Sequence, residues 1–269
     1  MMLSNFPVLT LSSPGAVAFY IGVWPIRWYG VLIAVSFLIA YFLAESLIKK
    51  ADLSIAHFSD MIFLILIFSI IFARLYFVFL SWDYFKDHWN EIPKIWHGGQ
   101  SIHGGIFGAV LAALIFARLK KISFYKYIDV IAVVMPLGQS IGRWGNFFNN
   151  EAFGKPIESG LSRLYWPIRL NIPYEFRPSQ YLNTEYFHPT FLYESFLDFA
   201  LFVYLFKMFP VWKKKPGKTF WTYLFCYSVI RFFLEFLRVD SLNLFGNIAS
   251  AHILSVIIFV ISLNFLIKR

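Results

Sequence analysis

The sequence predicts an all-α polytopic membrane protein: seven transmembrane helices, the N-terminus outside and the C-terminus in the cytoplasm. Three observations carry that reading. Only 14% of the 269 residues are charged, while 59% are hydrophobic and 21% aromatic; globular chains run nearer a quarter charged. Apolar runs of about 20 residues, the length that crosses a hydrocarbon core, recur along the whole chain. Lysine and arginine gather in alternate loops, which fixes orientation.

The expected spans are 28–48, 60–81, 101–118, 124–142, 189–210, 219–238 and 247–267. The segments at 101–118 and 124–142 are short and carry glycines, Pro136 and polar groups. Broken backbone at membrane depth is tolerated where protein or a wet cavity covers it, so a cavity is expected nearby. Loops after the odd-numbered spans hold Lys49, Lys50, Arg118, Lys120, Lys121, Lys213, Lys214, Lys215, Lys218, Lys268 and Arg269. Arg27, Lys86 and Lys94 lie on the other side, eleven against three. The stretch 150–188, between the fourth and fifth spans, holds Pro156, Pro167, Pro173 and Pro178. It reads as an irregular extracytoplasmic cap inserted into a single integral membrane domain covering 1–269. Its Lys155, Arg163, Arg169 and Arg177 do not upset the orientation, because longer outer regions obey the charge rule less strictly. No basic region precedes the first apolar stretch, so no cleavable secretory signal is expected.

The net charge of +9 does not point to nucleic acid. The basic residues sit at helix ends, where they set topology and attract anionic headgroups. Cys226 is the single cysteine, which excludes an intramolecular disulfide and a cysteine metal site; it reads as a packed side chain. His97 and His103 are six residues apart, not a same-face helical spacing, so no metal is expected. No cofactor is expected either.

The polar groups that remain fall into clusters. Trp24 and Trp28 suit an interfacial aromatic belt, with Tyr29 a hydroxyl available to a site. Arg74 lies inside an apolar run and must be paired or wet; Asp129 is a partner on sign alone. Gly98, Gly99, Gly104 and Gly105 surround His103 and permit close approach of a ligand. Gly142-Arg143-Trp144-Gly145-Asn146-Phe147-Phe148-Asn149-Asn150-Glu151, with Gly154 beyond, ends an apolar segment with one guanidinium, three carboxamides, one carboxylate and three glycines. Arginine's planar fork suits phosphate, and carboxamides suit ester or hydroxyl oxygens. Glu194 and Asp198, four apart, share one face of the fifth span and are not expected to meet lipid. Tyr227, Arg231, Glu235 and Arg238 form one stripe of the sixth span, where two arginines against one glutamate leave a positive charge free.

The pattern G-R-x-G-N-F-x-N-x-E-x-x-G, complete over 142–154, resembles the signature of the prolipoprotein diacylglyceryl transferases. Arg27-Trp28-Tyr29-Gly30 resembles that family's opening motif, and His103-Gly104-Gly105 its H-G-G motif. His188-Pro189 through Leu192-Tyr193-Glu194 resembles its H-P-x-x-L-Y-E run, with Thr190-Phe191 in place of the commoner Ser-Gln. Arg231 to Arg238 resembles R-F-x-x-E-F-x-R. The resemblance implies transfer of diacylglyceryl from phosphatidylglycerol to the lipobox cysteine of a prolipoprotein signal peptide, in the bacterial cytoplasmic membrane. It implies catalytic roles for His103, Arg143 and Arg231. It implies substrate binding by Arg143, Tyr29, Asn146, Asn149, Glu151, Gly154, Glu235 and Arg238. Two other readings were weighed. A transporter predicts inverted repeats, and none is visible. An intramembrane protease would use Ser101 or Ser140, and neither sits in a nucleophile elbow.

Overall fold

All seven expected spans form helices in the computed structural model, which describes residues 8–157, 167–239, 243–245 and 248–268. Arg163 and Arg269 lie outside the described residues. The helices are α1 (Trp28–Lys50), α2 (Ile55–Leu80), the single turn α3 (Trp82–Phe85), α4 (Ile102–Leu119), α5 (Phe124–Phe148), α6 (Thr190–Trp212), α7 (Lys218–Glu235) and α8 (Ser250–Ile267). Five of them, α1, α2, α4, α6 and α8, are long and apolar enough to cross a membrane. The two long helices outside that set are the polar ones: α5 carries Asp129, Gln139, Arg143 and Asn146, and α7 carries Arg231 and Glu235. The protein is a mostly helical membrane protein.

The chain divides into two compact units, Met1–Ala44 with Asp129–Arg269, and Glu45–Ile128. In the second unit, α2 packs along α4. The contact depends on small residues: a Cβ at Gly104 would run into the Phe72 carbonyl oxygen, and one at Gly108 into the Phe68 carbonyl oxygen. Ala112 continues the row, buried. This is the small-residue seam by which membrane helices approach closely without a hydrophobic drive between them. Gly104, next to His103, therefore seats a neighbouring helix, and α4 is unbroken where the sequence suggested interruption. Pro136 likewise lies inside a continuous α5. That helix runs to Phe148, six residues past its expected end, so Arg143 and Asn146 are helical.

Arg74 and Asp129 each have backbone partners within their own unit. The Arg74 guanidinium donates to the carbonyl oxygens of Glu91 (2.6 Å), Ile92 (2.8 Å), Gly98 (2.6 Å) and Gly99 (2.9 Å). It straps the segment after α3 onto α2 and satisfies a cation that hydrocarbon would penalise. In the first unit, the Asp129 carboxylate accepts from the backbone N–H groups of Gly217 (2.6 Å) and Phe220 (2.8 Å). It caps α7 from another helix, placing negative charge at the positive end of the helix dipole.

The all-α expectation needs one amendment, since short strands pair outside the helices. β1 (Leu9–Ser12) runs parallel to β4 (Ile168–Asn171), and β4 antiparallel to β5 (Tyr186–Phe187). β2 (Val17–Ile21) and β3 (Trp24–Arg27) form a hairpin, as do β6 (Asn243–Phe245) and β7 (Ile248–Ala249). Runs of two to five residues are too short to show strand alternation in the sequence. The cap is consequently less irregular than expected. Phe147, Phe153, Leu170, Ile172, Phe187, Phe191 and Leu192 form its buried core, tying β4 and β5 to the ends of α5 and α6. Each such side chain contributes about 1.5–3 kcal/mol by leaving water.

Candidate functional site

Three helices of the first unit build one ionic chain. α6 begins directly after His188-Pro189, and its 3.6-residue period puts Glu194, Ser195 and Asp198 on its buried side. From α5, Arg143 Nη2 donates to Glu194 Oε1 at 2.6 Å. From α7, Arg231 Nη1 lies 3.2 Å from Oε1 and 3.1 Å from Oε2 of the same carboxylate. Arg231 Nη2 then donates to Glu235 Oε2 at 2.7 Å, and Arg238 Nε stands 4.0 Å from that oxygen. The order is Arg143–Glu194–Arg231–Glu235–Arg238. The two carboxylates are nearly sealed, at 3% and 4% exposure, while Arg143 and Arg231 keep 21% and 16%. The chain holds three guanidiniums and two carboxylates, with the Asp198 carboxyl one turn from Glu194.

Around this chain the polar groups are held by defined partners. Ser195 Oγ donates to the Ser140 carbonyl at 2.8 Å and lies 3.1 Å from Ser140 Oγ. Ser140 thus joins two helices, with a serine rather than a histidine at its hydroxyl. Tyr223 donates to Gln139 Oε1 at 3.1 Å. Asp198 differs: it is fully buried, and neither oxygen has a hydrogen-bond partner.

The end of α5 gathers the rest of the signature. Gly145 faces the Tyr29 ring so closely that a Cβ there would enter it; Tyr29 is 38% exposed. Asn146 Nδ2 and Asn149 Nδ2 both donate to Glu151 Oε1, at 3.0 and 3.1 Å. Asn150 (φ 54°) and Ala152 (φ 55°) are left-handed and turn the chain away from the helix axis. Gly154 serves the backbone: its N–H donates to the His188 carbonyl at 2.8 Å, and it bridges Arg238. A Cβ there would meet His188 Cβ and Thr190 Cγ2, both at 2.7 Å. Arg238 accordingly lies beyond the end of α7, in a turn, rather than on the helical stripe the spacing suggested; its guanidinium still faces Glu235. His188 is buried, 3.3 Å from the Tyr193 hydroxyl, and burial lowers its pKa.

His103 and His97 belong to the second unit. His103 is the second residue of α4, exposed, its ring 6.4 Å from that of Tyr76. His97 Nδ1 stands 2.8 Å from Glu91 Oε2, and Lys94 Nζ donates to Glu91 Oε1 at 2.6 Å. The bonds from Lys94 and then His97 hold the Glu91 carboxyl below its ordinary range. Glu194 is the residue whose importance sequence spacing did not reveal. The available signal was an acid at membrane depth, one turn from a second.

Mostly buried guanidiniums ion-paired across three helices, in a chain with apolar spans, define an integral membrane protein with an internal ionic cluster. Comparison with known proteins narrows that class. Residues 16–268 match the prolipoprotein diacylglyceryl transferase family. The phosphatidylglycerol–prolipoprotein diacylglyceryl transferase of Staphylococcus aureus (strain bovine RF122 / ET3-1) is 42% identical over 253 residues, 94% of this chain and 88% of that protein. Its counterpart in Staphylococcus epidermidis (strain ATCC 35984 / RP62A) is 41% identical over 261 residues, 97% and 91% of the two chains. The chain belongs to the prolipoprotein diacylglyceryl transferase family. It is a diacylglyceryl transferase, a multi-pass protein of the bacterial membrane.

Proposed function

We propose that the Arg143–Glu194–Arg231 cluster is where this transferase holds the phosphate of phosphatidylglycerol while the lipobox cysteine of a prolipoprotein displaces it. The observation that carries this reading is the meeting of two arginines from different helices on one buried carboxylate. Each guanidinium has five N–H donors, so both keep donors for a lipid oxygen while bonded to Glu194.

The reaction forms one S–C bond and breaks one C–O bond. A free thiol, with pKa about 8.5, is mostly protonated at neutral pH. His103 takes its proton, and the sulfur attacks the glyceryl carbon next to the phosphate. The electron pair of the breaking C–O bond goes to the phosphate oxygen, and glycerol phosphate leaves. Charge grows on that phosphate, where Arg143 and Arg231 bind it more strongly in the transition state than before. Glu235 orients Arg231, and Arg238 adds the outermost cation. Tyr29, Asn146 and Asn149 bind glycerol hydroxyls, with Glu151 fixing both carboxamides. Gly154 holds the backbone of Arg238 in register. The whole chain acts as one integral membrane domain in which α5 and α7 also cross. The N-terminus and the 150–188 cap lie outside and the lysine-rich loops inside, supported by the bias of basic residues.

The test is mass spectrometry of a lipobox peptide incubated with purified protein and phosphatidylglycerol. A gain of one diacylglyceryl unit with release of glycerol phosphate is expected. Peptide cleavage without a gain in mass would overturn the reading.

A further inference from the structure

We propose that a cavity of about 460 Å³ beside the end of α5 is the subsite for the stretch of acceptor polypeptide that follows the reacting cysteine, held as an extended chain. The inference rests on the transfer reading above and adds to it a second contact with the protein substrate.

Position is the first argument. One wall is Phe148 to Glu151, the residues that continue the signature. Glu151 is the carboxylate already bonded to Asn146 and Asn149, so an occupant of the cavity abuts the proposed glycerol-binding groups. The facing walls come from Ser13–Ala16 and Pro173–Phe176, which belong to no span. Ser13 Oγ donates to the Phe148 carbonyl at 2.9 Å and accepts from Gly15 N–H at 3.1 Å, which fixes the 13–16 wall to the end of the helix. A polypeptide whose cysteine reacts near Arg143 leaves the membrane on this side.

Chemistry decides between peptide and lipid. The lining carries two carboxylates, Glu151 and Glu175, against one cation, Arg27. An anionic phosphodiester brings acceptors alone and would meet like charge. A peptide backbone brings one N–H per residue to an acceptor-rich wall. Phe148 and Phe176 supply flat apolar surface for its side chains. The volume lies in the range of about 300–1,000 Å³ typical of small-ligand sites, enough for a few residues and too little for a folded domain.

Two acceptor peptides with the same lipobox test this. One ends in an amidated cysteine and the other continues for several residues. The wild-type protein should show a KM at least about fivefold lower for the longer peptide. Ala16→Trp, which fills the cavity, and Glu175→Lys, which reverses an exposed wall charge, should each raise that KM to the value of the short peptide. The KM for phosphatidylglycerol and kcat on the short peptide should not move. Should Ala16→Trp fail to fold, Glu175→Lys carries the test alone. Equal KM values for the two peptides in the wild type would overturn the subsite. So would a rise in the lipid KM in the variants, which would assign the cavity to lipid. No transfer to either peptide by the wild type would instead sink the transfer reading itself.

Discussion

Arg143 on α5 and Arg231 on α7 share the carboxylate of Glu194 on α6, at 2.6 and 3.1 Å. One acid therefore sets both the spacing of two cations and the packing of three helices. Removing its charge strands the Arg143 guanidinium and leaves Arg231 with Glu235 alone, a change that costs about 3–5 kcal/mol where a buried pair is broken. Glu194→Gln should lower both the melting temperature and lipid transfer. Arg143→Ala, which leaves Arg231 its partner Glu235, should keep the fold and lose transfer by at least about 100-fold. Thermal unfolding in detergent and a labelled-phosphatidylglycerol assay separate the two effects. Near-normal turnover in a folded Arg143→Ala protein would remove the central role given to this arginine.

Asp198 lies one turn from Glu194 and invites the opposite expectation. It is fully buried with neither oxygen bonded, whereas Glu194 accepts from two arginines. An unpartnered buried carboxyl is a desolvation cost rather than a source of stability. Asp198→Asn should leave the melting temperature unchanged or raise it, and keep turnover within about threefold of wild type. A loss as large as that of Glu194→Gln would show that both acids are used.

The α2–α4 seam gives a contrast between adjacent glycines. A Cβ at Gly105 would sit 3.6 Å from the Ser69 carbonyl oxygen and 3.7 Å from Ala73 Cβ, ordinary contacts. At Gly104 it would collide with backbone at Phe72, which cannot swing aside. Gly105→Ala should be tolerated, while Gly104→Ala should cut the yield of folded protein and lower its melting temperature by several degrees, about 1–3 kcal/mol of overpacking. Equal tolerance at the two positions would mean that the helices do not approach so closely.

Much of this was legible in the residues, for identifiable reasons. Five of the helices follow from apolar length, a signal set by bilayer thickness and independent of tertiary detail. Arg143, Arg231 and Glu235 were legible because polar groups at membrane depth need a reason. What linear spacing did not carry was pairing. Arg74 is satisfied by four carbonyls and Asp129 accepts from a helix N-terminus. Backbone groups have no signature in a sequence, so charge matching alone could not propose these partners. Gly104 misled in the same way, because a glycine that seats a helix and a glycine that admits a ligand look alike until the neighbour is known. Gly154 was expected to contact substrate; what its backbone does, bonding His188 and bridging Arg238, has no signature in the sequence.

His188 yields an acid-side prediction. Burial lowers its pKa from the ordinary 6.5, so the unfolded chain takes up a proton before the folded one does. Stability from this group is therefore complete above 6.5 and declines as pH falls through 6.5 toward the folded value. Melting temperatures measured from neutral pH down to mildly acidic pH should show that slope. His188→Gln keeps the backbone bonds to Gly154 and Lys155 and should flatten it. An unchanged slope in the variant would assign the acid sensitivity to other groups.

The last expectation concerns His103, which lies at the start of α4, exposed and beside Tyr76. An exposed imidazole can act as a base once a thiol is brought within hydrogen-bond reach of it. If its task is to take the thiol proton, a replacement that cannot do so should be rescued when the thiol ionises by itself. His103→Gln should lose most of its activity at pH 7 and regain part of it as pH rises through about 8.5, the pKa of a free cysteine. The wild type should show no comparable alkaline gain. Initial rates with saturating phosphatidylglycerol across that range read the effect directly. A loss that stays constant with pH would reassign His103 to binding or packing and leave the proton to another acceptor.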